Sequence, residues 1–387
     1  MGFYHIVFNE ASDNGGTNIL YYDYASGKEI FLCDQPQCSH NDESCTSYLG
    51  MMGMSATLFV HGNYVYLLNS ESGVSMDMGG GSGEFTASAI YRMDPDGKNR
   101  EKLCDLPSGY MYSDNRLTFD DRCVYIPLSK NENIQVQDNT YMQHATDEAI
   151  FKIDLENGET SRFMDSKGSD IIAVRGRQMI FSKYNYEQDP EQLLNEKRFD
   201  EYDNVMRFAE LSYFAYDLEG GGTVWKSRTA STILSTYWDQ KLYYMDGGNL
   251  HAVSVENGND ELVAALADNL DYFIDEVRDG HIIIEAWRPE GDGYASTYAW
   301  DINGRQMREI TLKTSAPVQP VTIYSEYGEY FFVYYDHQQH TEKSWAGTDQ
   351  YVMDSMNAGL IKKEDFWNST PSYEPFEVLS QGGSIGR

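Results

Sequence analysis

Apolar and polar positions alternate in short runs along the whole chain, and each run begins after a turn residue. Gly62-Asn63 leads into Tyr64-Val65-Tyr66-Leu67-Leu68, and Gly328-Glu329 into Tyr330-Phe331-Phe332-Val333-Tyr334. Runs of the same kind span Gly2 to Phe8, Asp121 to Ile126, Gly176 to Phe181, Asp239 to Met245 and Gly280 to Glu285. Their length and their β-branched and aromatic content make them strands rather than helices. Most units carry another strand before this one, such as Thr57-Leu58-Phe59-Val60 or Asp170-Ile171-Ile172-Ala173-Val174. Downstream, a β-rich run ends in an aspartate, and a glycine follows within a few residues. The copies centre on Asp23, Asp94, Asp154, Asp217, Ser254, Asp301 and Asp354, with Gly27, Gly97, Gly158, Gly221, Gly258, Gly304 and Gly359 behind them. A fourth strand comes next, such as Glu29-Ile30-Phe31-Leu32 or Gln306-Met307-Arg308-Glu309-Ile310.

Four short antiparallel strands per unit, repeated along the chain, are the plan of a β-propeller blade. The expected fold is therefore all-β: one seven-bladed β-propeller domain over residues 1–387. Six or eight blades stay open, because the first and last units are the least regular. The glycine suits a tight hairpin that needs positive φ. The aspartates recur once per unit, so they read as turn acceptors rather than catalytic acids. The first unit begins at its second strand. Pro375-Phe376-Glu377-Val378-Leu379 is the natural donor of the missing inner strand, closing the first blade with the C-terminus.

Extra length falls between the second and third strands, at Asn69 to Phe85, Ser129 to Asp147, Tyr184 to Leu211, Arg288 to Ser296 and Asp336 to Asp349. Read as long loops on a rigid scaffold, these are the places where function concentrates. The third insertion predicts a helix over about 189–209, capped by Asp189 with Pro190 in its first turn. The glycine-rich stretch Met76 to Gly83 has no lysine-serine pair after it and opens no helix, so it reads as a hairpin tip and not a phosphate cradle.

Composition sharpens this picture. The chain has 387 residues, 61 acidic against 29 basic, and a net charge of −32. Such a surface repels nucleic acid and anionic lipid. No apolar run is long enough to span a bilayer. Met1-Gly2 leads straight into a strand, which places the protein in the cytosol or makes it the remainder of a chain whose leader is gone. A monomer is expected.

The most specific local signal is Leu32-Cys33-Asp34-Gln35-Pro36-Gln37-Cys38-Ser39-His40-Asn41-Asp42-Glu43-Ser44-Cys45. Cys33, Cys38, His40 and Cys45 make a ligand set suited to a structural zinc, although C-x4-C-x-H-x4-C is not a standard zinc-finger spacing. A disulfide within the set, such as Cys38 with Cys45, is the competing reading, with Cys104 and Cys123 as a second pair. Inert thiols are the third.

This element resembles one near the start of uncharacterised exported proteins and lipoproteins of clostridial-type Gram-positive bacteria. Leu360-Ile361-Lys362-Lys363-Glu364-Asp365-Phe366-Trp367-Asn368 is similar to their C-terminal region, and the repeats resemble those of TolB-like propellers. The resemblance implies an extracytoplasmic propeller, secreted or at the cell surface, with no established activity. The leader and lipid-attachment cysteine of such proteins do not occur in this chain.

No nucleophile elbow, zinc-protease helix or dinucleotide fingerprint occurs. Asp94 to Asn99 looks like a calcium-loop fragment but lacks the later glutamate, so turn chemistry explains it. His337 and His340 read as part of a solvated polar loop. The remaining candidates for binding lie in or beside the insertions: Tyr141, His144, Tyr184, Tyr186, Trp287, Arg288, Tyr294, His337 and Trp345. Exposed rings there would stack on sugars or grip a peptide. The functional expectation is a non-catalytic binding module for a carbohydrate, peptide or surface protein. The alternatives are a polysaccharide-acting hydrolase or lyase using acids with His144 or His337, and a structural module with a Cys/His clasp.

Overall fold

The computed structural model describes residues 2–9, 16–69, 88–112, 117–137, 140–228, 235–267, 269–289, 293–315, 318–343 and 349–379. Seven antiparallel sheets form a seven-bladed β-propeller, as the repeat predicts. The blades fall into two compact units, residues 1–108 with 310–387, and residues 109–309.

The first unit holds three blades. In the first blade Gly2–Asn9 pairs with Gly16–Asp23, which pairs with Lys28–Phe31; Tyr48–Gly50 adds to Gly16–Asp23. The second blade runs Ala56–His61, Tyr64–Asn69, Ala89–Met93 and Glu101–Asp105. The seventh runs Thr322–Tyr327, Tyr330–Lys343, Asp349–Lys362 and Glu374–Pro375. Apolar positions at period two put one row of each strand into the space between sheets. Ile19, Leu32, Leu49, Val65, Leu67 and Met93 pack the first blade on the second. Tyr22, Tyr24, Phe332, Ala358, Leu360 and Phe376 pack it on the seventh. Each of the larger of these side chains contributes about 1.5–3 kcal/mol by leaving water.

The second unit holds four blades of the same order, and its third to sixth sheets begin their main hairpins at Cys123, Gln178, Lys241 and His281. The turns after the third strands show why aspartate recurs. The Asp217 carboxylate accepts the Glu219 N–H at 2.9 Å and the Gly220 N–H at 3.1 Å. Asp301 accepts Asn303 N–H at 3.0 Å and Gly304 N–H at 2.8 Å. Ser254 does the same for Glu256 N–H at 3.3 Å, with a hydroxyl in place of the carboxylate. Gly221 follows at φ 67°, as the hairpin requires.

Four expectations need correction. Asp354 and Gly359 do not form a seventh turn; Asp354 sits at a bulge inside Asp349–Lys362. Gly359 is small for another reason, because a Cβ there would lie 2.6 Å from the Glu374 carbonyl oxygen. The insertions at Ser129–Asp147 and Asp336–Asp349 are not loops but long ribbons, Cys123–Gln137 on Thr140–Asp154 and Tyr330–Lys343 on Asp349–Lys362. The predicted helix is two: α1 (Pro190–Asn195), capped by Asp189 as expected, and α2 (Phe199–Arg207). Lys197 at φ 58° breaks the helix between them, and Arg198 bridges the break by pairing with Glu196 and Glu201.

The C-terminus joins the first blade, but not as its inner strand. Glu374–Pro375 completes the seventh blade, and Glu377 forms a parallel bridge to Lys28, on the outer strand of the first. Glu29 N–H donates to Glu377 O, and Glu377 N–H to Gly27 O, both at 2.9 Å. The Glu29 carboxylate is fully buried against His5 Nε2 at 2.8 Å and accepts the Leu379 N–H at 2.5 Å. A last helix, α3 (Lys363–Trp367), stands before that segment and buries Phe366 and Trp367 against Phe331. Among the described residues no helix is long and apolar enough to cross a membrane.

Candidate metal centre

The strand Lys28–Phe31 ends where the cysteine element begins, and the element folds back over the first blade as a series of turns. Cys38 N–H donates to Gln35 O at 3.3 Å and Cys45 N–H to Asp42 O at 3.1 Å. Gln37 and His40 take positive φ of 61° and 56° without being glycine. Strain of that kind persists only where surrounding contacts hold it. Here the holder is Asn18, fully buried, whose Nδ2 donates to His40 O and to Ser47 Oγ, each at 2.9 Å. Thr46 Oγ1 ties back to Leu32 O at 2.6 Å, and Gln35 Nε2 to Ser44 O at 2.9 Å.

The result is convergence. One ligand atom each from Cys33, Cys38, His40 and Cys45 lies within 4.8 Å of the others. All five cysteines of the chain are free thiols, so the disulfide pairings are not what the structure shows. His40 Nδ1 is 3.3 Å from Cys45 Sγ. Its ring stacks on Phe31 with centroids 4.0 Å apart. A tetrahedron with metal–sulfur bonds of about 2.3 Å has sulfur–sulfur edges of about 3.8 Å. The set needs only a small contraction to meet that geometry.

The electrostatics agree with the geometry. Burial lowers the His40 pKa and keeps the imidazole neutral, the form that ligates. Burial also raises the Cys33 thiol, but hydrogen bonds from Gln35 N–H and the neighbouring thiols outweigh it and hold it below the usual range. Burial pushes Cys45 up to about 11, so a proton sits on its sulfur until a cation replaces it.

The turn of the second blade faces this loop. Lys98 Nζ bonds Asp34 Oδ2 at 2.7 Å, and Arg100 Nη2 donates to Tyr48 O at 2.9 Å. A groove of about 390 Å³ lies between residues 43–46 and 97–100. Arg100, which lines it, has its Nη1 buried with no hydrogen-bond partner among the described residues. An orphaned guanidinium N–H in a groove that Cys45 also lines is a polar atom that a bound metal–thiolate group would satisfy. Sequence reasoning missed Asn18, Lys98 and Arg100, because each reaches the loop from a different strand or turn.

The aromatic candidates are dispersed. Tyr184 and Tyr186 stack with centroids 6.1 Å apart, and burial raises both, Tyr186 to about 12. Trp287 meets Tyr294 edge-on at 5.8 Å, and Arg288 donates to the Tyr294 carbonyl at 2.8 Å. Tyr294 is buried and its hydroxyl is bonded to Thr297. His337 is buried against Tyr334, so it is not part of a solvated loop. His144 is half-buried and pairs with Glu132 in the long ribbon. Trp345 and the Tyr141 side chain lie outside the described residues.

No family model matches the chain, and no curated protein does. Solved structures resemble it. The acylaminoacyl peptidase of Pyrococcus horikoshii, in its orthorhombic crystal form, matches at TM-score 0.47 and 8% identity over 81% of this chain and 46% of that one. A puromycin-hydrolyzing peptidase of Mycobacterium tuberculosis matches at 0.49 and 12% over 98% and 53%. An oligogalacturonate lyase of Vibrio parahaemolyticus matches at 0.46 and 10% over 97% and 84%. The chain spans about half the length of these peptidases.

Proposed function

We propose that this chain is a non-catalytic, extracytoplasmic binding propeller whose first blade is held by a structural zinc ion. The convergence of Cys33, Cys38, His40 and Cys45 carries the metal part. All four positions of a tetrahedral site come from the protein, leaving none for a substrate, which is the pattern of structural zinc. Zinc would supply a fixed cross-link at this loop and no reaction. A soft, three-thiolate donor set favours zinc over calcium or magnesium.

The acids support a binding role rather than hydrolysis. Asp217 and Asp301 are engaged by turn N–H groups, and Asp147 by Arg162 and Tyr110. All three are held below the usual carboxylate range by those hydrogen bonds. A general acid needs the opposite shift. Tyr184, Tyr186 and Trp287 stand half-buried at or just beyond the ends of second strands, and these rings are the surface proposed to meet a carbohydrate, peptide or protein partner.

Two measurements test this. Elemental analysis of the full chain should give one zinc per molecule, and chelation should lower its melting temperature; metal-free protein with an unchanged melt removes the zinc. A glycan and peptide array should give a signal that Trp287→Ala weakens. Turnover of an arrayed glycan would overturn the non-catalytic assignment.

A further inference from the structure

Arg100 reaches the metal loop from the turn of another blade, and two features of its placement go beyond hydrogen bonding. First, among the described residues Nη2 donates to the Tyr48 carbonyl while Nη1 is buried without a hydrogen-bond partner. Second, it lines the same groove as Cys45, one of the four convergent side chains. Nearby Lys98 is different: it is exposed and already committed to Asp34 and Asp96.

The charge count explains why a buried cation belongs here. Three thiolates, a neutral imidazole and a divalent ion sum to one negative charge. In a chain of net charge −32 the long-range field opposes one more. A partly buried negative charge without a counter-ion is costly, and a guanidinium within the same wall removes that cost.

Resting on the zinc assignment above, we infer that Arg100 is the charge-balancing partner of the metal–thiolate group, raising metal affinity by its charge rather than by its bond to Tyr48. The second blade thereby takes part in metal binding without contributing a ligand.

The test uses the full chain as wild type, Arg100→Lys, Arg100→Gln and Lys98→Gln. Zn2+ affinity is read by competition with a chromogenic chelator at one pH, and Co2+ absorption reports thiolate ligation. Arg100→Gln keeps a donor for the Tyr48 carbonyl and loses the charge; affinity should fall by about 10- to 100-fold, the usual range for residues that support ligands. Arg100→Lys keeps the charge and should stay within about threefold of wild type, and Lys98→Gln within about twofold, as exposed pairs behave. The cobalt spectrum should keep its thiolate charge-transfer bands in every variant. Wild-type affinity in Arg100→Gln, or a loss in Arg100→Lys as large as in Arg100→Gln, overturns the inference while leaving the zinc in place. A loss in Lys98→Gln equal to that in Arg100→Gln overturns it too, since any nearby cation would then serve. A wild-type chain that binds neither ion overturns the zinc assignment and this inference together.

Discussion

Replacing Phe376 with alanine tests how the C-terminal peptide holds the first blade. The ring is 8% exposed. It meets Tyr22 at 5.6 Å, Tyr24 at 6.2 Å and Phe332 at 5.5 Å between centroids, each contact edge-on or steeply inclined. Tyr22 and Tyr24 belong to the first blade and Phe332 to the seventh, so the ring is the shared wedge of two sheets. Phenylalanine-to-alanine changes at buried sites cost about 3–5 kcal/mol, and these sheets are fixed by ladders that cannot collapse into the void. A loss of about 3–4 kcal/mol is expected, or roughly 10 °C in the melting temperature of a unit this size. Leu379→Ala is the control: the side chain is 50% exposed, and its contact to Glu29 runs through the backbone, so the change should stay below about 0.5 kcal/mol. Urea titration followed by circular dichroism measures both. A Phe376→Ala loss under about 1 kcal/mol, or one equal to that of Leu379→Ala, would show that the peptide is held by its hydrogen bonds alone and refute the wedge.

Gly359→Ala places a Cβ against the Glu374 carbonyl and should displace the short Glu374–Pro375 strand at a cost of about 1–3 kcal/mol, seen as faster proteolysis near the C-terminus; wild-type cleavage rates would show that the backbone yields freely. Acid stability follows from the turns. Backbone N–H groups hold Asp217 and Asp301 below the usual carboxylate range in the folded state. Their stabilising contribution is therefore complete above the unfolded value of about 4 and disappears as pH falls through the lower folded values. Melting temperatures across that window should drop on the acid side; a flat or rising trend would mean the turn acceptors add nothing.

The fold was legible because its signal is local and repeated: an aspartate or serine, a hairpin glycine and alternating strands recur in six of the seven blades. The candidate ligand set was legible because it too is local, all four side chains lying from Cys33 to Cys45. What misled was chemistry that looks local and is not. Asp354 precedes a glycine by chance of spacing, while Gly359 is dictated by a strand fifteen residues downstream. The ribbons were read as loops because segments such as Asn133-Ile134-Gln135-Val136-Gln137 alternate correctly but carry polar residues that suit solvent as well. Arg100 had no sequence signal at all, since nothing in its own turn announces a thiol in the preceding blade.

Two devices of different chemistry meet on one short strand. Lys28 and Glu29 receive the C-terminal peptide at the start of Lys28–Phe31, and Phe31 receives the stacked His40 ring at its end. A four-residue strand on a sheet edge has little stability of its own. If either device is lost the strand loosens, and the other then holds something already partly released. The two losses must therefore be less than additive. Chelation of the proposed zinc and Phe376→Ala, applied singly and together, form a thermodynamic cycle in which the combined cost should fall short of the sum by about 1 kcal/mol, well outside the roughly 0.3–0.5 kcal/mol scatter of independent sites. Urea midpoints at constant slope give all four corners. Strict additivity would mean that the strand stands without either fastening, and that the Cys/His loop and the C-terminal wedge stabilise separate parts of the blade.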